Sequence, residues 1–161
     1  MNSWEGHCFG CSRKNVQGLQ LRFSVSEQGC FTRCMIPDHF CGFDGLAHGG
    51  IIATLLDEVS AWTIISRLGK FGITQEIRIR YLKPVPTNTE IMAEGKILNC
   101  DEKNGAVQAA ILSAEGTLLA ESESQWVFPS LSIISRISGV EESTLKQFLA
   151  SSSRKEEGVE R

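Results

Sequence analysis

The sequence has no long hydrophobic run and no excess of charge of either sign. None of its 161 residues lies in a window that approaches the ~20 consecutive apolar residues that a membrane-spanning helix needs. The 16 basic and 19 acidic side chains leave a formal net charge of −3, which gives no general attraction for a polyanion. We therefore expect neither a membrane nor a nucleic acid as a partner.

The sequence also lacks a secretory signal and the cysteine density of a disulfide-built protein. Its first residues contain no basic stretch followed by an apolar run. Six cysteines in 161 residues are too few for a disulfide scaffold. We expect a cytoplasmic protein with reduced thiols.

Cysteine spacing gives only part of a metal-site pattern. Cys8 and Cys11 follow His7 with the spacing of half a zinc site. Cys30 and Cys34 do not complete a standard zinc finger with them. Small thiols also pack well against apolar surfaces. We predict no metal and no cofactor, and a packing role for the cysteines of the N-terminal arm.

The pattern of apolar residues is typical of a single α+β domain. A long apolar segment predicts a helix from Ile51 to about Leu68, which Gly69 is well placed to end. Alternation of apolar and polar residues predicts two strands before this helix and four after it. The predicted strands cover residues 19–26, 30–37, 73–85, 90–99, 106–114 and 118–128.

The predicted helix is apolar around nearly its whole circumference, which is typical of a buried helix. We therefore predict a curved antiparallel sheet of about six strands wrapped around one long central helix. Residues 19–129 form this domain, and residues 1–18 precede it as an arm. Residues 130–161 follow it as an extension with a short helix and a mobile tail.

The segment that precedes the helix is rich in glycine, with four glycines in residues 38–50. Glycines at a helix start let a ligand approach the backbone, and the first turn presents unpaired N–H groups. Such a terminus can polarise a carbonyl group and stabilise an oxyanion. An ordinary glycine-rich turn has the same composition, so the glycines alone leave both interpretations open.

Asp57 and Glu58 lie two turns into the otherwise apolar helix. Carboxylates are seldom buried without a partner or a purpose, and desolvation raises their pKa toward a range useful for acid–base catalysis. Small helical neighbours leave space for a ligand at Asp57, whereas Glu58 is expected to have a structural partner or to reach solvent. A solvated polar stripe on the helix is the alternative interpretation.

Helix geometry separates the glycine end from the acid. Gly50 and Asp57 are seven residues apart, and a rise of 1.5 Å per residue puts them about 10 Å apart along one helix. Two groups at that distance do not easily serve one carbonyl group. We therefore predict a two-fold dimer with two shared sites, in which the glycine end of one chain approaches the acid of the other.

Two motifs resemble a known family. The His48-Gly49-Gly50 step, with Asp57 nine residues after His48, is followed by the segment from residue 74 to residue 85, TQEIRIRYLKPV. Together they resemble the hotdog-fold acyl-CoA thioesterases of the phenylacetate-degradation (PaaI-like) type, in the 4-hydroxybenzoyl-CoA thioesterase superfamily. The resemblance covers residues 8–128.

The resemblance implies hydrolysis of an acyl-CoA thioester at the interface of a homodimer, or of a dimer of dimers, without a metal. Carried over by position, the amide of Gly50, or that of Gly49, polarises the thioester carbonyl. Asp57 of the facing subunit acts as general base or nucleophile. Thr74 orients the water or the carboxylate, and His48 shapes the loop or touches the substrate.

Three further residues, one compared with relatives and two identified from their strand position, are candidate substrate contacts. Gly42 is a departure, because some relatives have an Asn or Gln side chain at this position, six residues before the His. Losing one oxyanion donor costs ~10²–10³ in rate, so this departure predicts modest turnover. Arg78 and Arg80 share one strand face, where they either meet the phosphates of coenzyme A or form a solvated surface.

Two other functions fit parts of the sequence. A hotdog dehydratase or hydratase would use His39 and a helix acid on a 3-hydroxyacyl thioester. This alternative is weakened because His48-Gly49-Gly50 stands where dehydratases usually have Pro-Gly. A non-catalytic acyl-CoA-binding module is the other alternative, and Gly42 makes it credible.

Overall fold

The computed structural model describes residues 6–152, which contain eight strands and three α-helices. The strands are β1 (Ser24–Val25), β2 (Gly29–Met35), β3 (Cys41–Phe43), β4 (Leu46–Ala47), β5 (Ile73–Tyr81), β6 (Glu90–Cys100), β7 (Asn104–Ser113) and β8 (Leu118–Val127). The helices are α1 (Gly49–Leu68), α2 (Leu131–Ser138) and α3 (Glu142–Ser152). Among residues 6–152, no helix combines the length and the apolar character that crossing a membrane requires.

Six of the strands form one antiparallel sheet in the order β1-β2-β6-β7-β8-β5. The other two, β3 and β4, form a separate small hairpin directly before α1. This arrangement confirms the predicted α+β class, in which an antiparallel sheet of six strands packs around one long helix. Strand β5 is an edge of the sheet, and within the described residues it pairs only with β8.

Helix α1 packs closely against the sheet. Leu55, Leu56 and Val59 on this helix are completely buried. A Cβ atom added at Gly95 of β6 would lie 2.5 Å from Thr63 Oγ1 of the helix, so only glycine lets the two elements come this close. The helix ends at Gly69, whose φ of 61° is left-handed, as the sequence predicts.

The side of α1 that faces away from the sheet is covered by the two ends of the described chain. Phe23 stacks on Trp62 of α1 with ring centroids 5.2 Å apart, and Phe148 of α3 meets the same indole edge-on at 5.7 Å. Leu145 of α3 is also buried. The helix is therefore apolar nearly all round because it is covered on both sides.

The N-terminal segment differs most from the sequence prediction. A strand was expected over residues 19–26, but only Ser24–Val25 is a strand. The backbone at Gln20 has a φ of 49°, and the N–H groups of Leu19 and Leu21 donate to the carbonyl groups of Phe9 and Gly10. These residues therefore pair with the preceding loop rather than with the sheet.

The C-terminal segment also contains more helix than expected. The sequence predicted one short helix in residues 130–161, and the structure has both α2 and α3 there. Ser130 caps α2 by accepting a hydrogen bond from the N–H of Ile133, and Gly139 ends it in the left-handed conformation. The tail that was expected to be mobile lies mostly outside the described residues.

Candidate active site

The first turn of α1 is capped by the side chain of His48. Its Nδ1 accepts a hydrogen bond from the N–H of Gly50 at 2.9 Å, and its carbonyl group accepts from Ile51 and Ile52. The Gly50 amide, which the resemblance assigns to the thioester carbonyl, is thus already engaged. Among the hydrogen bonds of residues 6–152, none uses the N–H of Gly49, which is left for a ligand.

Residues 47–50, called the glycine turn below, are held in place by three contacts from other parts of the chain. The hydroxyl of Tyr81, at the end of β5, donates to the carbonyl of Gly49 at 3.1 Å. The N–H of His48 donates to the carbonyl of Phe40 at 2.9 Å, and the preceding residue is bonded to Val85. Sequence analysis assigned no role to Tyr81. Ile77, Ile79 and Tyr81 are spaced two residues apart, so all three side chains lie on the helix-facing side of β5.

A cavity of about 500 Å³ opens beside this turn. The end of β5, the β3–β4 hairpin and the start of α1 enclose it, and its lining exposes more apolar than polar surface. It is lined by Gly42, Phe43, Leu46, Ala47, His48, Gly49, Ile52, Tyr81, Lys83, Pro84 and Val85. A ligand in this cavity would lie against the N-terminus of α1, where a developing negative charge is favoured.

Thr74, which the resemblance implied would orient the water or the carboxylate, contacts Asp57. The hydroxyl of Thr74 donates to Asp57 Oδ1 at 2.7 Å. A β-bulge between Thr74 and Glu76 makes this contact possible, because it places Thr74 on the same face of β5 as Ile77. Without the bulge, period-two alternation would turn Thr74 toward the solvent with Glu76.

The surroundings of Asp57 shift its acidity. Burial raises the pKa of Asp57 above its usual range, the Thr74 hydrogen bond lowers it, and negative charge on the nearby Cys8 raises it further. Desolvation is the largest of these influences. A half-buried carboxylate with a raised pKa is a better proton acceptor than a solvated one.

Glu58 points to a different partner. Its Oε1 lies 3.1 Å from Cys8 Sγ, so the expectation of a structural partner for Glu58 is confirmed. Burial raises the pKa of Glu58 to about 8, and the charge and hydrogen bond of Cys8 add to this shift. A hydrogen bond from Cys11 is the largest of the influences that lower the pKa of Cys8 to about 5. The same contact, together with burial, raises the pKa of Cys11.

The two predicted arginines lie on the outer face of β5. Arg78 Nη2 is 4.0 Å from Glu76 Oε1, and Arg80 Nη1 is 2.8 Å from Glu121 Oε1. Both arginine side chains are exposed. Their ion pairs fit a solvated strand face, whereas Lys83 is the cation that lines the cavity.

Gly42 lies in β3, and His39 lies in the short 3-10 turn Asp38–Phe40 just before that strand. A Cβ atom at Gly42 would be 3.3 Å from the Cα of His48, so this glycine packs directly against the capping residue. His39 is exposed and its ring contacts Phe40, with centroids 4.2 Å apart. Within residues 6–152 of one chain, no hydrogen bond or ion pair joins His39 to Asp57 or Glu58.

Comparison with known proteins finds a family match in the middle of the chain. Residues 44–120 match the family model of the thioesterase superfamily. No curated protein matches the sequence. The predicted resemblance to the thioesterases is therefore confirmed at the level of the superfamily, over the segment that contains the glycine turn, Asp57 and Thr74.

Solved structures confirm the hotdog fold. A hypothetical thioesterase from Streptococcus pneumoniae, solved with coenzyme A, is 21% identical with a TM-score of 0.64 and covers 68% of this chain and 86% of its own. A Bacillus halodurans protein with CoA is 23% identical with a TM-score of 0.62, over 70% and 76% of the two chains. The Escherichia coli PaaI protein, from the phenylacetic acid degradation operon, is 15% identical with a TM-score of 0.65, over 70% and 81%.

Proposed function

We propose that this thioester hydrolase, whose residues 44–120 carry the thioesterase-superfamily match, acts on acyl-CoA and releases a free acid and CoA. Two of the similar structures were solved with coenzyme A. In this chain the cavity beside the glycine turn has the apolar lining that an acyl group or a pantetheine arm requires. The substrate class thus agrees with both the fold and the cavity.

The N–H of Gly49 is the oxyanion donor in this proposal. It is the amide of the first helical turn that has no protein partner among the described residues, whereas that of Gly50 is bonded to His48. The carbonyl of His48, in the same peptide as this N–H, accepts hydrogen bonds from Ile51 and Ile52, and Tyr81 holds the carbonyl of the next peptide, that of Gly49. A fixed N–H at a helix N-terminus stabilises the negative oxygen of a tetrahedral intermediate.

Asp57 is the general base. Thr74 occupies its Oδ1, and no protein hydrogen bond among the described residues occupies its Oδ2. Water bound at Oδ2 attacks the thioester carbon while Asp57 takes its proton. The oxyanion then collapses, the carbon–sulfur bond breaks, and the departing CoA thiolate receives the proton.

One chain holds these two groups too far apart for one substrate. Gly49 and Asp57 are eight residues apart on α1, or about 12 Å along the helix. Thr74 near one end of β5 holds Asp57, and Tyr81 at the other end holds Gly49. The two halves of the site therefore lie at opposite ends of one strand.

A two-fold dimer through β5 would solve this problem. The outer edge of β5 is unpaired among the described residues, and its nine residues offer a long pairing surface. Antiparallel pairing of two β5 strands sets the Thr74 end of one beside the Tyr81 end of the other. Asp57 then faces Gly49 of the partner subunit, and two equivalent sites form. This opposed placement of Thr74 and Tyr81 is the observation that carries the proposal of a shared site.

Mixed dimers test the shared site. Gly49→Pro removes only the N–H of Gly49, because proline is favoured at the first helical position and His48 has the extended φ of −63° and ψ of 139° that precede proline well. Asp57→Asn removes the base. Coexpressed, the two inactive chains should regain about half of the wild-type activity in the heterodimer, since one of its two sites is intact.

The matched control is Gly49→Ala, which keeps the N–H and places its Cβ at an ordinary 3.7 Å from the Tyr81 ring. Thiol release from a panel of short, long and aryl acyl-CoA substrates supplies the activity readout. No thiol release from any of them, with saturable binding of acyl-CoA, would establish the non-catalytic module instead. A heterodimer as inactive as its parents would place each site within one chain.

A further inference from the structure

The proposed hydrolysis leaves one buried cluster of reactive side chains unused. Cys8, Cys11 and Glu58 present two sulfurs and a carboxylate oxygen that all lie within 4.8 Å of one another. Glu58 is next to Asp57 on α1, but its side chain turns toward the N-terminal arm. The cluster therefore belongs to a separate region beside the candidate active site.

The backbone of the N-terminal arm holds these two sulfurs close to α1. Any Cβ atom at Gly10 would collide with the side chain of Glu58, so glycine between the two cysteines allows the approach. The N–H of Ser12 donates to the carbonyl of Cys8 at 3.2 Å and closes a turn over residues 8–12, called the cysteine turn below. The bonds from Leu19 and Leu21 to Phe9 and Gly10 fasten its outer side.

The sulfur atoms have polar neighbours besides each other. Cys8 Sγ lies 3.1 Å from Glu58 Oε1. Cys11 interacts with the side chain of Trp62, whose indole N–H can only donate. Thiolates are the form in which cysteines bind metal ions.

We propose that Cys8, Cys11 and Glu58 bind one Zn²⁺ ion that fastens the N-terminal arm to α1. Two thiolates at about 2.3 Å from a tetrahedral ion lie roughly 3.8 Å apart, so sulfurs within 4.8 Å need only a small adjustment to bind it. The carboxylate supplies a third ligand and water the fourth. The positive charge of the ion would offset most of the negative charge of the two thiolates and the carboxylate.

This proposal departs from the sequence-based expectation of no metal. The spacing of Cys8 and Cys11 is that of half a zinc site, and no other residues in the sequence have a spacing that completes it. The missing ligand, Glu58, comes from a helix 50 residues away from Cys8. No spacing rule links a cysteine pair to a helical carboxylate at that separation.

Metal content tests this proposal without any enzyme assay. The reduced full-length protein should bind about one Zn²⁺ per chain, as mass spectrometry of the metal would show. Replacement with Co²⁺ should give the near-ultraviolet sulfur-to-cobalt absorption of thiolate ligation. Cys8→Ser should abolish this band, and Glu58→Gln should weaken Zn²⁺ binding by about 10–100-fold against a chromogenic chelator. Cys100→Ser, at an exposed cysteine of β6, is the matched control and should bind normally.

A second measurement uses only the wild-type protein, so its outcome does not depend on whether a variant folds. In the wild-type protein, Zn²⁺ should protect both Cys8 and Cys11 from alkylation by iodoacetamide while Cys100 reacts as before. Less than about 0.1 Zn²⁺ per chain, with no cobalt–thiolate band, would overturn the proposal. So would an internal disulfide between Cys8 and Cys11 that persists in reducing buffer. Because these readouts do not involve acyl-CoA, they stand or fall separately from the proposed hydrolysis.

Discussion

Asp57 and Glu58 are adjacent on α1, yet they belong to different regions of the molecule. Asp57 meets a hydroxyl on β5, and Glu58 meets two thiols in the N-terminal arm. Consecutive helical residues point about 100° apart, so one helix can serve two neighbouring environments. Burial raises the pKa of both carboxyl groups, and only their partners distinguish them.

This comparison shows that a raised pKa does not identify a catalytic acid by itself. The pKa of Glu58 is raised to about 8, which would suit acid–base catalysis. Its side chain is enclosed by the cysteine turn, whereas Asp57 keeps one carboxylate oxygen without a protein partner among the described residues. The oxygen of Asp57 that has no protein partner among the described residues supports the proposal that Asp57, rather than Glu58, is the base.

The largest expected effect separates the two acids directly. Asp57→Asn should lower kcat/KM for acyl-CoA by about 10²–10⁴, because it removes the proton acceptor while keeping the shape of the side chain. Thiol release measures the loss, and size-exclusion chromatography checks that the oligomer is unchanged. Activity within a factor of about three of the wild type would remove Asp57 from the mechanism.

The alkylation rates of Cys8 and Cys11 should distinguish the region around Glu58. In metal-free protein the pKa of Cys8 is lowered to about 5 and that of Cys11 is raised, so at pH 7 iodoacetamide should label Cys8 at least about tenfold faster than Cys11. Labelling of Cys8 should slow only as the pH falls through about 5. Peptide mass spectrometry identifies the labelled residue. Equal rates for the two thiols would contradict the asymmetry of the cluster.

The pH profile sharpens the assignment of Thr74. Because the base must be ionised, kcat/KM should fall as the pH drops through the raised pKa of Asp57. Thr74→Val removes the hydrogen bond that lowers this pKa, so the acidic limb should move to higher pH, with a rate loss of about tenfold near neutrality. Cys100→Ser serves as the control variant. An acidic limb that stays in place would show that Thr74 does not act through the ionisation of Asp57.

The smallest expected effect concerns Tyr81. Tyr81→Phe deletes only the hydroxyl that holds the Gly49 carbonyl. Loss of this hydrogen bond should raise the activation free energy by about 0.5–1.5 kcal/mol, which corresponds to roughly a two- to tenfold lower kcat. KM should change little, because the ring stays in the cavity wall. A change in KM alone would assign Tyr81 to substrate binding instead of to the position of the glycine turn.

Much of the fold follows from local patterns. Alternation predicted the four long strands after α1 because each has one face on the core, and continuous apolar character predicted α1 because both of its sides are covered. The strand expected over residues 19–26 is mostly absent because Gln20 is left-handed and its neighbours bond to the cysteine turn. Alternation cannot reveal such a tertiary partner.

The site was less predictable than the fold. His48 and Asp57 were found through their spacing, but the capping of Gly50 by His48 depends on a side-chain rotamer that spacing does not specify. Thr74 faces Asp57 only because of a bulge in β5, which breaks the period-two rule. Glu58 and Cys8 meet through tertiary packing alone.

If Asp57 and Glu58 serve separate sites, one paired measurement on two variants should separate their roles. Zn²⁺ content and acyl-CoA hydrolysis are measured on the same preparations of Asp57→Asn and Glu58→Gln. The expected result is crossed: Asp57→Asn keeps Zn²⁺ binding and loses hydrolysis by about 10²–10⁴, while Glu58→Gln weakens Zn²⁺ binding by about 10–100-fold against a chromogenic chelator and retains hydrolysis within about tenfold. A parallel loss of both readouts in both variants would contradict it.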